Sequence, residues 1–313
     1  DLIISDLEFA EKYLPYQWED GSGIGKPTKW AAKALLAQVY LTNAGWPIKD
    51  KNMYVRAAEK AKEVIDSGEF SLEENFADLW REENGSSQEG VFVIRMCDPC
   101  ANVPGAWASG AKTNFYKVGF ASSEMGGGFE DLLGEIRFFN DFPEGPRKDA
   151  TYITEVDGVQ WEDLQSGRPL IAKYGPGLGS IWDTTNEDIY ISRYADVLLI
   201  YAEATNKATG NPTAESYTAL NAVRRRAGLT DLSGLSSEEF HNAVLDERSW
   251  EFTAEYINRW FDMVRNEIVE EVVAKRDPDE VPIIGTVTKD KYLAPIPISD
   301  ITLNPNLTQN PGY

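Results

Sequence analysis

The sequence predicts an all-α fold in which paired helices carry a long loop-rich segment with minor short strands. Three observations lead there. Apolar residues recur at helical spacing over residues 2–65 and again over 188–268,. Alanines recur within those apolar stripes, which suits helix packed on helix,. Between the two regions, residues 81–187 lose the helical period and fill with Gly, Pro, Asn and Ser,.

Leu2, Ile3, Leu7, Phe9, Ala10 and Leu14 mark an amphipathic first helix over residues 2–13, stopped by Pro15,. The glycine-rich run Gly21-Ser22-Gly23-Ile24-Gly25-Lys26 is a linker and not a phosphate loop. Pro27 stands where a Ser or Thr hydroxyl would have to meet magnesium,. Thr28 is the expected N-cap of a helix over 29–42, with Ala31, Ala34, Leu35, Val39, Tyr40 and Leu41 along one stripe,. After a loop with Trp46 and Pro47, a partner helix runs from about Asn52 to Asp66, with Ala57, Ala58, Ala61, Val64 and Ile65 inward. This helix–loop–helix, spanning 26–68, is tetratricopeptide-like, and residues 188–227 read as a second copy. Tyr194, Val197, Leu198, Tyr201 and Ala202 stripe its first helix. Ala214, Tyr217, Leu220, Val223 and Ala227 stripe the second, which Gly228 closes,. Ser236 and Glu239 form a capping box for one long helix expected over 237–268, with an apolar face from Phe240 to Val264 that includes Trp250, Phe252, Trp260 and Phe261,. A C-terminal tail occupies 269–313.

Bulk properties narrow the ligand. Of 313 residues 42% are hydrophobic and 12% aromatic, enough for a sizeable core,. Against 51 acidic residues stand 30 Lys and Arg, and the net charge of −21 repels phosphate backbones and anionic lipid,. No apolar run approaches the roughly 18 residues of a membrane span. Neutral ligands remain. Cys97 and Cys100 lack a second ligand pair for structural zinc, so they read as a local disulfide or two inert thiols,. His241 is the sole histidine; among polar neighbours it is expected at the solvated surface, and no catalytic triad can be assembled around it. No cofactor or metal site is indicated.

A sugar ring offers C–H groups to an aromatic face, while its hydroxyls need Asn, Asp or Arg. The middle segment supplies both. Trp107 is flanked by small residues in Pro104-Gly105-Ala106-Trp107-Ala108-Ser109-Gly110, and Asn114, Phe115 and Tyr116 follow. Trp107, Asn114 and Tyr116 are therefore the leading ligand contacts, Trp182 and Trp161 are weaker ones, and Trp46 is either a contact or a packing residue. Trp30, Trp80, Trp250 and Trp260 read as core. Arg193, Asp196, Glu203, Glu247 and Arg248 are expected to bridge helices as ion pairs.

Four stretches together resemble the SusD/RagB family of the Bacteroidetes. They are residues 29–41, from Lys29-Trp30-Ala31 to Tyr40-Leu41; residues 192–204 with Asn221-Ala222-Val223-Arg224-Arg225-Arg226-Ala227-Gly228; Asp246-Glu247-Arg248-Ser249-Trp250-Glu251-Phe252 with Arg259-Trp260-Phe261-Asp262; and Pro295-Ile296-Pro297 with the closing Gln309-Asn310-Pro311-Gly312-Tyr313. One departure is Glu255-Tyr256-Ile257-Asn258 before the Arg-Trp pair, where the family often has Glu-Gly; this is expected to alter local packing. The resemblance implies one domain over 1–313 that lacks the family's N-terminal part. It also implies a lipid-anchored protein, exposed on the outer membrane, that binds oligosaccharide or polysaccharide for a partner TonB-dependent, SusC-like transporter. Its membrane contact would run only through an anchor outside this chain. The expectation is a binder and not an enzyme. A glycoside hydrolase, needing two carboxylates across a cleft, and a protein-interaction scaffold without a small ligand are the alternatives.

Overall fold

Up to Arg226, the helices of the two repeat-like regions stand where the apolar periodicity places them. The computed structural model describes residues 1–19, 26–80, 87–94, 132–173, 188–255 and 258–313. It opens with α1 (Leu2–Tyr13), α2 (Lys29–Ala44) and α3 (Met53–Ile65). Thr28 caps α2, its Oγ1 accepting the amide of Ala31 at 3.4 Å,. Ala34, Ala37, Ala57 and Ala61 are all but fully buried, and such small side chains let neighbouring helices approach,. A 3₁₀ turn at Phe76–Trp80 and strand β1 (Gly90–Ile94) follow.

Residues 132–173 hold more regular structure than their composition suggests. Two short helices, α4 (Ile136–Asp141) and α5 (Pro146–Thr151), precede β2 (Tyr152–Ile153), β3 (Glu155–Val156), β4 (Val159–Gln160) and β5 (Leu170–Ile171). β2 pairs with β5, and β3 with β4. The β3–β4 hairpin turns through Asp157 and Gly158, both at positive φ, the Asp-Gly chemistry of a tight primed turn,. Val156, Leu164 and Leu170 form a small core beneath it.

β6 (Ile189–Arg193) runs antiparallel to β1 and leads directly into α6 (Tyr194–Thr209), followed by α7 (Ala214–Arg226) and α8 (Ser237–Glu251). α1 packs on α2, α2 on α3, α3 on α6, and α6 on both α7 and α8, so the two helix pairs stack as the repeat reading expects,. One core joins Leu36, Tyr40 and Val64 to Leu199, Leu220 and Phe240. A second, aromatic core gathers Phe76, Trp80, Phe139, Phe142, Tyr152 and Tyr190. The chain ends with α9 (Asn258–Arg265), α10 (Val269–Ala274) and α11 (Ile298–Leu303).

Three expectations need correction. The single helix over 237–268 is two, because α8 stops at Glu251. The Glu251 carbonyl there accepts from Lys173 Nζ at 2.9 Å and Arg193 Nη2 at 3.0 Å, and Ala254 turns the chain at φ 63°. Cations on the last carbonyls close a helix C-terminus as well as glycine does. Trp260 is accordingly 43% exposed, because the break takes α9 out of phase with the α8 stripe. His241 is buried, since it shares a face with Val244, Leu245 and Arg248. Its polar neighbours Glu238, Glu239 and Asn242 point away from the core,.

Candidate ligand-binding site

Trp107, Asn114, Tyr116 and Trp182 lie outside the described residues, as do Cys97 and Cys100. What the structure shows is the frame from which their segments depart. Ile94, the last described residue before 95–131, pairs with Ile189, two residues after 174–187 ends. Both segments therefore meet the described chain at one end of the β1–β6 pair. The 174–187 segment meets it again at Lys173.

A buried ionic centre anchors the opposite end of the β1–β6 pair and holds Lys173, where the 174–187 segment begins. Arg193, at the end of β6, donates from Nη1 to Glu89 and to Glu251 at 2.6 Å each, and from Nε and Nη2 to the two oxygens of Glu255 at 2.8 Å. Arg226 donates to Glu89 at 3.0 Å and also to Glu251. Arg147 of α5 reaches Glu247 at 2.5 Å and Glu251 at 2.9 Å. Lys173 Nζ donates to Glu255 at 2.8 Å and stands over the rings of Phe76 and Trp80 at 4.8 and 4.9 Å, a cation held on two aromatic faces,. Burial pushes the Lys173 ammonium down to about 8, with the Glu255 charge opposing it. Burial works against the Glu251 carboxylate too, but the guanidinium groups of Arg226, Arg193 and Arg147 outweigh it and hold the group well below the usual range.

A second cluster ties α6, α8 and α9 together. Arg248 donates to Asp196 at 2.8 Å and to Asp262 at 2.7 Å, and Arg265 donates to Glu203 at 2.5 and 2.7 Å. Ion pairs expected at Arg193, Asp196, Glu203, Glu247 and Arg248 are thus all present. Sequence reasoning missed Glu89, Lys173, Glu251, Glu255 and Arg226. The available signal was Glu251 falling four residues after Glu247 on the inward stripe of α8. These groups are buried and spend their hydrogen bonds on one another. Their chemistry is positional: such networks specify geometry more than they stabilise.

Apart from the exposed Trp260, the tryptophans expected as contacts or core among the described residues are packed. Trp46 is half-buried, edge-on to Tyr292 at 5.2 Å, and its amide donates to the Arg265 carbonyl at 2.9 Å. Trp161 stands 5.5 Å from Phe139. Trp80 is in the aromatic core, and Trp30 and Trp250 pack against the two cores from their edges.

Comparison with known proteins bears on the helices that build this frame. The model of the SusD family matches residues 173–313, the stretch that carries α6 to α9 and most of the ionic centre. SusD-like protein P2 of Formosa agariphila is 30% identical over 340 residues, covering 99% of this chain. The chain belongs to the SusD family. It spans 64% of that relative's length. Among solved SusD relatives, a superfamily protein from Parabacteroides distasonis superposes with a TM-score of 0.79 at 27% identity, covering 100% of this chain and 68% of the other. Surface glycan-binding protein A from Bacteroides uniformis gives 0.76 at 25% identity, covering 98% and 67%. The SusD-type resemblance read from residues 192–313 coincides with the matched region, and the helical, tetratricopeptide-like frame is the family's.

Proposed function

We propose that this chain is the larger part of a cell-surface glycan-binding protein, one that captures oligosaccharide or polysaccharide for a partner TonB-dependent transporter. We read 1–313 as a single domain whose helical frame presents the 95–131 and 174–187 segments as the ligand face. The observation that carries this reading is the pairing of Ile94 with Ile189. It brings the roots of both aromatic-bearing segments to one edge of a rigid, ion-paired frame. Family membership supports the ligand class, because a relative of the same fold is described as a surface glycan-binding protein. Trp107, Tyr116 and Trp182 would stack on sugar faces while Asn114 meets hydroxyls. The ionic centre has no role in turnover in this reading: it holds the frame.

Affinity electrophoresis through gels containing plant, host and bacterial polysaccharides tests the proposal, with reducing ends assayed in parallel. One polymer should retard the protein without releasing reducing ends, and Trp107→Ala should abolish the retardation while leaving the unfolding midpoint unchanged. Release of reducing ends would replace this reading with a hydrolase. Unaltered retardation of Trp107→Ala and of Trp182→Ala would remove the two segments as the ligand face.

A further inference from the structure

A cavity of about 460 Å³ opens between α4, α5 and β2, well within the size of small-ligand sites,. The buried rings of Phe139 and Tyr152 line its inner side, and the exposed side chains of Asn140, Asp149 and Thr154 line its mouth. Lys148 is the fixed point. Its ammonium lies 4.3 Å above the Phe139 ring and donates to Glu144 at 2.6 Å, with only 9% of the side chain exposed. One of its three N–H groups is thereby used. Among the described residues the other two have no partner, and neither the Asp149 carboxylate nor the Asn140 amide has one.

This donor set selects by elimination. An apolar ligand would strip water from an ammonium and two carboxylates without replacing their hydrogen bonds. A phosphate or uronate would meet two carboxylates against one ammonium, on a molecule of net charge −21,. A divalent cation would meet the Lys148 charge, and no group of three metal-ligating side chains exists among the described residues,. A neutral polyol fits. Its hydroxyls can donate to Asp149, accept from Lys148 and do both with Asn140 and Thr154. Lys148 already covers a face of Phe139, so ring stacking there is blocked.

We propose that this pocket is a second saccharide site, which takes a neutral sugar unit through hydrogen bonds and not through stacking. It goes beyond the ligand face proposed above and depends on that reading only for the choice of sugars as probes. With two sites on one chain, a long polymer would be held more tightly than a short oligosaccharide, because the second contact is intramolecular.

The test is a titration followed by amide resonances in isotope-labelled protein, with the methyl glycosides of glucose, galactose, mannose and xylose as neutral probes and glucuronate as the anionic one. At least one neutral glycoside should give saturable shifts confined to amides of residues 139–154. Asp149→Ala should weaken that response about tenfold or more through loss of a charged acceptor. The Asp149 side chain is exposed and outside the core, and an unchanged spectrum elsewhere verifies the fold. The proposal is overturned if no neutral glycoside gives saturable shifts at 139–154, if glucuronate binds as well, or if Asp149→Ala binds unchanged. Repeating the titration in Trp107→Ala separates the two sites. Pocket shifts that persist while polymer retardation is lost are the outcome both readings expect; retardation that persists counts against the ligand face and leaves the pocket standing, and absent pocket shifts overturn the pocket and leave the ligand face standing.

Discussion

Replacing Glu203 by Gln should cost stability at neutral pH and abolish a defined part of the acid sensitivity. Glu203 is fully buried on α6; both its oxygens accept from Arg265, and the Nδ1 of His241 lies 3.7 Å away. Burial alone would lift its pKa. The Arg265 guanidinium outweighs burial and brings the group from 4.5 down to about 2. An unfolded chain binds this proton near 4.5, so between the two values it holds more protons than the native state does. The stabilisation is therefore complete above about pH 4.5 and is lost as pH falls toward 2. At about 1.4 kcal/mol per decade the total is about 3 kcal/mol. Glu203→Gln should forfeit about that much at pH 7, because Arg265 is left with Asp262 alone,. Urea midpoints measured from pH 7 to pH 3 should show the gap between wild type and variant shrinking below pH 5. Burial lowers the pKa of His241 as well, which costs stability as pH falls below 6.5, so a parallel series in His241→Gln separates the two,. A gap below about 1 kcal/mol at pH 7, or one that stays constant down to pH 3, would refute the reasoning.

Two further predictions concern the frame. Lys173 titrates near 8 in the folded protein against 10.5 when free, so the native state sheds its proton first and stability contributed by this site rises from pH 8 toward 10.5,. Against Lys173→Met, wild type should gain about 2 kcal/mol in urea denaturation between pH 8 and 10, and parallel pH curves would contradict the assignment. Ala61→Leu, which enlarges a fully buried residue on the inward face of α3, should lower stability by about 1–3 kcal/mol through overpacking,. A thermal midpoint equal to that of wild type would mean that the α3 interface has spare volume.

The difference between what was legible in the sequence and what was not follows the range of the forces involved. Thr28 and Ser236 announce their helices because a cap acts over three residues, and both caps are present,. The stripes of α2, α3, α6 and α7 were legible because one face meets one core. The end of α8 was not. It is set by Lys173 and Arg193, which reach the Glu251 carbonyl from 78 and 58 residues away, and no local window contains them. His241 was misread for a different, local reason. Its immediate neighbours are polar, and only its spacing to Val244, Leu245 and Arg248 points inward. In the candidate site, aromatic content singles out Trp107 and Trp182, which lie outside the described residues, but composition says nothing of the frame from which their segments depart.

The buried charges bear on how the frame is held. Burying Arg193, Lys173, Glu89, Glu251 and Glu255 together costs more desolvation than an apolar cluster of the same volume would, so stability alone does not explain them. What they gain is direction. A Leu or Phe cluster tolerates small slips among its members, whereas Arg193 must meet three carboxylates in fixed geometry, one each from the turn before β1, the end of α8 and the turn beyond it,. Lys173, bound to Glu255 in the same centre, adjoins the point where the 174–187 segment joins the frame, and a slip of one strand residue at β6 would break several ion pairs at once,. Under the function proposed above, segments that carry ligand-contacting aromatic side chains depart from β1, β6 and Lys173, and this kind of rigidity in the frame keeps those points of departure in register.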